Sequence, residues 1–323
     1  MAVAGKNKVA ASGSVGVEHD AEIPTWFGIG GRAERLARPE SVGELGACLR
    51  MDRGLRVLGD GANLLVDDDG VPELVVSLAS EAFTEVRIDD GSGRVTAGAG
   101  ANLPKVITET VRRGLAGLEG LAGIPATVGG AAIMNAGGAF GQICDSISAV
   151  NALDRGGHEF RLLREQIDFR YRHSGLDGLI ITSVEFELRE EDPAALRTRL
   201  KEVMEYKKNS QPMGERSAGC VFRNPTLRHD VPDIGPAGER VSAGMLLDRA
   251  GCKGMRCGGA SVSPRHANFV VTEPGATARD VIELMSLSAE RVLDRFGVTL
   301  DPEVVIWSRH DRPTPHRDTK ASR

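Results

Sequence analysis

Cysteine is sparse and unpatterned in this sequence of 323 residues. The five cysteines, Cys48, Cys144, Cys220, Cys252 and Cys257, are an odd number without a repeated framework. That excludes a disulfide scaffold and fits a reducing, cytoplasmic compartment. Cys252 and Cys257 have no second pair to complete a zinc set, so no metal is expected. An excess of basic residues is also missing. Lys and Arg total 40 against 45 Asp and Glu, a net charge of −5, which lacks the footprint of a nucleic-acid partner. The first twenty residues contain no apolar stretch that would read as a signal peptide. One stretch, 114–144, carries a single charge, Glu119, but it also holds nine glycines, a proline and an asparagine. It reads as a buried, tightly turning segment rather than a membrane span. What is present is ordinary for a soluble chain of about two domains: 41% hydrophobic and 26% charged residues.

Residues 1–20 are small, polar and aperiodic, and are expected to form a disordered arm. Residues 309–323 read as a disordered, solvated tail with five basic and two acidic residues. Strand-like and helix-like patterns alternate between these ends. Strands are expected at Leu55–Leu58, Leu74–Leu78, Arg94–Gly98, Leu179–Leu188, His266–Thr272 and Glu303–Trp307. Ile147–Leu153 and Phe160–Leu163, joined through Asp154–Gly157, predict a hairpin. Helices are expected at 40–50, Leu103–Arg113, Ala243–Ala250 and Ala278–Phe296. Asp192-Pro193, an N-cap followed by proline in the first turn, opens a further helix to about Lys208. That helix marks the expected boundary between domains 21–190 and 191–308, within an α+β or mixed α/β fold.

Two glycine-rich loops carry the functional signal. The first, Gly59-Asp-Gly-Ala-Asn63, follows a strand, and its backbone can crowd N–H groups around an anion. It is neither the dinucleotide fingerprint nor a P-loop, since Leu64 follows with no helix pattern and no Lys-Ser/Thr ending. The second runs from Gly120 to Gly138 and allows close approach to something flat or phosphorylated. Taken alone each is compatible with a tight turn; two in one domain point to a large nucleotide cofactor.

The succession of pieces resembles the UDP-N-acetylenolpyruvoylglucosamine reductase family across about residues 22–307. The pieces are Thr25–Gly31, Gly59–Asn63, Gly123–Gly130 with Asn135–Gly137, Tyr171-Arg172, Ser217–Pro225, Ala243–Asp248, His266–Phe269 and Pro302-Glu303. The resemblance implies an FAD-binding domain of the p-cresol methylhydroxylase-like (PCMH/VAO) type, plus a C-terminal α/β substrate-binding domain. It implies noncovalent FAD, with NADPH as co-substrate reducing the flavin. Hydride then passes to C3 of UDP-N-acetylglucosamine enolpyruvate, and the product is UDP-N-acetylmuramate, a peptidoglycan precursor. Cofactor contacts are implied at Gly59, Asp60, Gly61, Ala62, Asn63, Gly123, Ile124, Pro125, Thr127, Gly129, Gly130 and Asn135. Arg172 and Glu303 would attend the substrate carboxylate, and Cys220 would give the proton to C2. Many relatives carry serine at position 220; a thiol is also a competent acid. Tyr206, Lys207 or Lys208, Asn224 and His266 would hold the substrate or nicotinamide nucleotide. The short spacing after Ser174 implies the compact subtype without the longer substrate-capping loop. No membrane partner is expected, and a monomer is. Competing readings are a sugar oxidase of the same fold, with covalent flavin, and a non-catalytic flavin or nucleotide-sugar binding module.

Overall fold

The computed structural model describes residues 15–89 and 91–309. The first lobe pairs two sheets around one core. In one sheet Val17–Glu22 runs antiparallel to Arg32–Ala37, which is parallel to Val71–Ser77, itself parallel to Arg56–Leu58. The other is antiparallel in the order Glu159–Leu163, Ile147–Leu153, Ile180–Glu187, Arg94–Gly98, Val86–Ile88. Helices Val42–Met51, Leu103–Arg112 and Val128–Ile133 bury Leu45, Leu49, Val106, Ile107 and Val128 in the core between them.

Local chemistry starts and stops these elements. Asn102 accepts from the Lys105 amide, and Pro104 sits in the first turn of its helix. In the hairpin turn Asp154 Oδ1 accepts from the Gly156 and His158 amides, while Gly157 takes the left-handed φ of 85°.

The second lobe packs the helices Ala243–Arg249 and Ala278–Phe296 on a three-stranded antiparallel sheet, 256–257, 260–262 and 270–272. Thr277 and Asp280 form a capping box at the start of the long helix, and Gly297 closes it at φ 66°. Its face of Val281, Leu284, Met285, Ser288 and Val292 is buried at helical spacing.

Three boundaries differ from expectation. The arm ends sooner than residue 20, because Val17–Glu22 is an edge strand; residues 1–14 lie outside the described residues. Arg309, the first residue of the expected tail, contacts Glu34 and the Asp69 carbonyl, and 310–323 lie outside the described residues. The helix Pro193–Ser210 does begin on Asp192, but its Leu196 is buried in the first core, so that core extends past residue 190. The last strand, Val305–Trp307, returns to the first lobe and pairs parallel with Leu64–Val66, directly after the first glycine loop. Phe27 and Leu65 of the first lobe are in turn buried in the core of the second.

Candidate active site

Both glycine loops face one cavity of about 580 Å³, with a second of about 230 Å³ sharing part of its wall. The larger is lined by all five residues from Gly59 to Asn63, by Pro125, Thr127 and Gly130, and by Arg172. The two loops approach each other closely: a Cβ on Gly59 would lie 2.9 Å from Thr127 Oγ1. At Gly61, φ is +65° and a Cβ would meet the Pro24 carbonyl oxygen at 2.1 Å, so only glycine fits. Among the described residues, the amides of Asp60, Gly61 and Ala62 donate to no other protein group. Free donors in a turn that no side chain can fill suit a diphosphate, and the cavity has the size of a cofactor site. A groove of about 660 Å³ on the outer face of the five-stranded sheet has no such cradle, and its Arg161 and Glu185 pair with each other at 2.7 Å.

At the cavity wall, the turn 170–173 throws Arg172 into the left-handed region, at φ 52°. Arg172 Nε donates to Glu303 Oε1, and its Nη2 donates to the Gly137 carbonyl at 2.9 Å. Glu303 arrives on the segment before the last strand, held to the first loop by Asn63, whose Nδ2 donates to the Glu303 carbonyl at 3.1 Å. Burial keeps the Glu303 carboxyl above its ordinary pKa, against the opposing pull of Arg172 and Arg223. Here desolvation outweighs the ion pair.

Cys220 neighbours this pair without itself lining the cavity. Its backbone bridges Phe269, and Asn268, 2% exposed, clamps the next residues: its Oδ1 accepts from the Phe222 amide at 3.0 Å and its Nδ2 donates to the Phe222 carbonyl at 2.8 Å. The Val221 carbonyl accepts from the Glu303 amide at 2.8 Å, which sets Cys220 beside Glu303. Burial pushes the Cys220 thiol up to about 12; the Glu303 charge adds to this, while Arg172 and Asn268 oppose it. Such a thiol keeps its proton at neutral pH until a strong base appears beside it.

Lys207, on the last turn of the helix 193–210, is buried next to this group. Burial, and then the Arg172 charge, bring its ammonium down to about 8. Its neighbour Lys208 is exposed, and neither lysine lines the cavity. Tyr206 is exposed and meets Phe140 edge-on at 5.3 Å between centroids.

Several expected contacts have other work. Asn135 is 1% exposed; its Nδ2 donates to the Arg170 carbonyl at 2.9 Å and to Gln142, so it positions the Arg172 turn instead of lining the cavity. Gly123 and Ile124 are not on the cavity wall: a Cβ on Gly123 would lie 3.1 Å from Lys207 Cδ, and Ile124 packs on the first core. Asn224 Oδ1 accepts from the Ala243 amide at 2.9 Å, and its own amide donates to Tyr171 Oη at 3.2 Å. His266 Nδ1 accepts from the Asn268 amide at 3.2 Å, and its ring packs edge-on against Phe269. Asp60 is exposed at the cavity rim. The sequence reading missed Asn268, although it lies in the quoted His266–Phe269 piece, and Arg223, which sits three residues beyond Cys220 and lines the cavity.

The profile of the UDP-N-acetylenolpyruvoylglucosamine reductase C-terminal domain matches residues 211–307, and that of an FAD binding domain matches 33–163. A UDP-N-acetylenolpyruvoylglucosamine reductase of Desulfosudis oleivorans is 40% identical over 296 residues, covering 87% of this chain and 91% of the relative. One from Myxococcus xanthus is 41% identical over 281 residues, covering 85% and 86%. The crystal structure of UDP-N-acetylenolpyruvylglucosamine reductase from Thermus caldophilus superposes with a TM-score of 0.75 at 39% identity, over 91% of this chain and 99% of that one. With relatives this similar over nearly the whole described chain, and with two lobes meeting at one glycine-lined cavity, the chain belongs to the UDP-N-acetylenolpyruvoylglucosamine reductase family.

Proposed function

We propose that this chain is the FAD-containing, NADPH-dependent enzyme that reduces UDP-N-acetylglucosamine enolpyruvate to UDP-N-acetylmuramate, supplying precursor for the cell wall and so for cell shape and division. The observation that carries this reading is the convergence of Arg172, Cys220 and Glu303, from three separate stretches of sequence, beside the cavity that holds both glycine loops. The loop amides at 60–62 and the wall from Pro125 to Gly130 would hold FAD, which when bound supplies hydride chemistry.

The remaining work falls to this chain's own residues. Reduction of the enol ether at C3 leaves negative charge at C2 that spreads into the adjacent carboxylate. Arg172 grips that carboxylate with a guanidinium already oriented by the Gly137 carbonyl. Glu303, kept protonated more readily than an ordinary carboxyl, donates a hydrogen bond to the same group. Cys220 holds the proton for C2: a thiol near 12 resists ionisation at rest, yet is acidic enough for a carbanion to deprotonate. Lys207 places a further cation beside them for the phosphates of the nucleotide ligands. All of these groups come from one chain, which supports action as a monomer. Soluble nucleotide reactants and five free cysteines support a cytoplasmic setting; among the described residues no helix is long and apolar enough to cross a membrane.

Stopped-flow absorbance of the yellow protein separates the two half-reactions. NADPH is expected to bleach the flavin, and the enolpyruvyl nucleotide to restore it. Cys220→Ala should bleach at close to the parental rate and recolour at least about a hundredfold more slowly, the usual scale for losing a general acid. Recolouring of this variant at the parental rate would remove Cys220 from the chemistry.

A further inference from the structure

We propose that Arg223 is a further cofactor-binding residue: the cation that the second lobe delivers to the FAD diphosphate on the Gly59–Asn63 loop. This rests on the flavoenzyme reading above and adds a residue to it.

The backbone places Arg223 for that role. Its amide donates to the Asp301 carbonyl at 2.9 Å, and its neighbour Phe222 bridges Pro302. Three residues beyond Pro302, the Val305 amide donates to the Asn63 carbonyl at 3.0 Å. The segments 221–223, 301–305 and 63–66 thus lie side by side, and Arg223 shares the wall of the 580 Å³ cavity with the whole of the first loop.

The charges of that wall show what is missing. The loop amides offer donors but no net charge, and Asp60 and Asp177 add negative charge to the same wall. Arg172, oriented by Glu303 and the Gly137 carbonyl, is assigned above to the substrate carboxylate, and the His173 ring lies 3.7 Å from Asp177. Arg223 is different. Its Nε is buried and has no hydrogen-bond partner, and among the described residues no carboxylate lies within ion-pair distance of it. It is near enough to Glu303 to be felt electrostatically, yet not bonded to it. A buried Nε–H without an acceptor costs stability unless a ligand atom completes it. A diphosphate, with about two negative charges and a row of acceptor oxygens, matches its forked donors. The first lobe contributes no uncommitted cation to this wall, so the second lobe completes the cofactor site. Retention of the flavin then depends on the two lobes being docked.

The test uses full-length holoenzyme carrying Arg223→Gln or Arg223→Lys. FAD dissociation constants are read from the fluorescence of flavin released on serial dilution, at low and at raised salt. The Michaelis constant for the enolpyruvyl nucleotide is read in excess FAD. Arg223→Gln is expected to weaken FAD binding at least tenfold and to flatten its salt dependence, since one screened charge contact is gone. Arg223→Lys should recover part of the affinity, with the substrate constant within twofold in both variants. FAD affinity within twofold of the parent in both variants would overturn the proposal. So would a raised substrate constant with FAD retention unchanged, which would assign Arg223 to the diphosphate of the nucleotide sugar. Should Arg223→Gln fail to fold with FAD in excess, the lysine variant decides alone, by its affinity and salt slope. A parent protein that takes up no FAD overturns the flavoenzyme reading itself, a result distinct from a yellow parent with an equally retentive variant.

Discussion

At Glu303 two effects of opposite sign meet in one carboxyl group. Burial raises its pKa, while Arg172 and Arg223 pull it down, and burial wins. Its folded-state pKa therefore lies above that of the unfolded chain. The stabilisation from holding this proton is fully present below the unfolded carboxyl range and is lost as pH rises through the folded value. The same titration governs chemistry: once ionised, Glu303 repels the substrate carboxylate that it otherwise hydrogen-bonds. Recolouring of the reduced flavin by substrate is expected to slow as pH rises through the Glu303 pKa. Glu303→Gln should abolish that limb and lower the plateau. Arg172→Ala removes the two largest opposing influences and should move the limb to higher pH. A pH profile of the substrate half-reaction, about pH 5 to about pH 8, would reveal all three. An unmoved limb in Arg172→Ala would mean that another group titrates.

The turn that carries Arg172 depends on an asparagine one helix away. Asn135 follows the helix Val128–Ile133, is itself left-handed at φ 43°, and ties the Arg170 carbonyl to the Gln142 side chain. Asn135→Ala would leave these buried groups short of partners, a cost of about 1–3 kcal/mol. It should lower the thermal midpoint modestly. Because Arg172 is strained at φ 52°, it should also slow the substrate half-reaction more than tenfold, with bleaching by NADPH less affected. Equal slowing of both half-reactions would speak for a general structural defect. The helices, the hairpin and the glycine loops were legible because their signals are local: Asp192-Pro193 at one helix start, apolar spacing along the other helices, Asp154–Gly157 between two strands, and clustered glycines. The strand Val17–Glu22 was not, since VEHDAE buries only Ala21 and shows no apolar alternation. The part Asn135 plays was not legible, because a buried amide serving a backbone carbonyl looks, in sequence, like one serving a ligand. Asn268 was missed because its partner is 46 positions away, and Arg223 because it meets the first loop only across the cavity, about 160 positions away; no spacing rule covers either.

The whole molecule is held at the cavity by its last strand. Trp307 is 9% exposed, belongs to the small core cluster with Leu58, Leu64 and Val66, and carries the Arg56 guanidinium 5.6 Å from its ring centroid. The same residue lines the cavity together with Arg223 and the first glycine loop. Trp307→Ala should cost about 3–5 kcal/mol, the usual range for removing a large buried ring. It should also weaken FAD. Leu284→Ala, in the fully buried face of the long helix of the second lobe, should cost about 2–5 kcal/mol. That site is remote from the cavity wall, so FAD affinity should stay near the parental value. Ligand added at a hundred times its dissociation constant stabilises a fold by about 2.7 kcal/mol, and by about 1.4 kcal/mol less for each tenfold loss of affinity. At one fixed FAD concentration, then, the midpoint of Leu284→Ala should rise on adding FAD by about as much as the parent's, while that of Trp307→Ala should rise much less. Thermal unfolding of both variants with and without FAD distinguishes a strand that only stabilises the fold from one that also builds the cofactor site. Equal rises in the two variants would leave the return strand with a purely structural role.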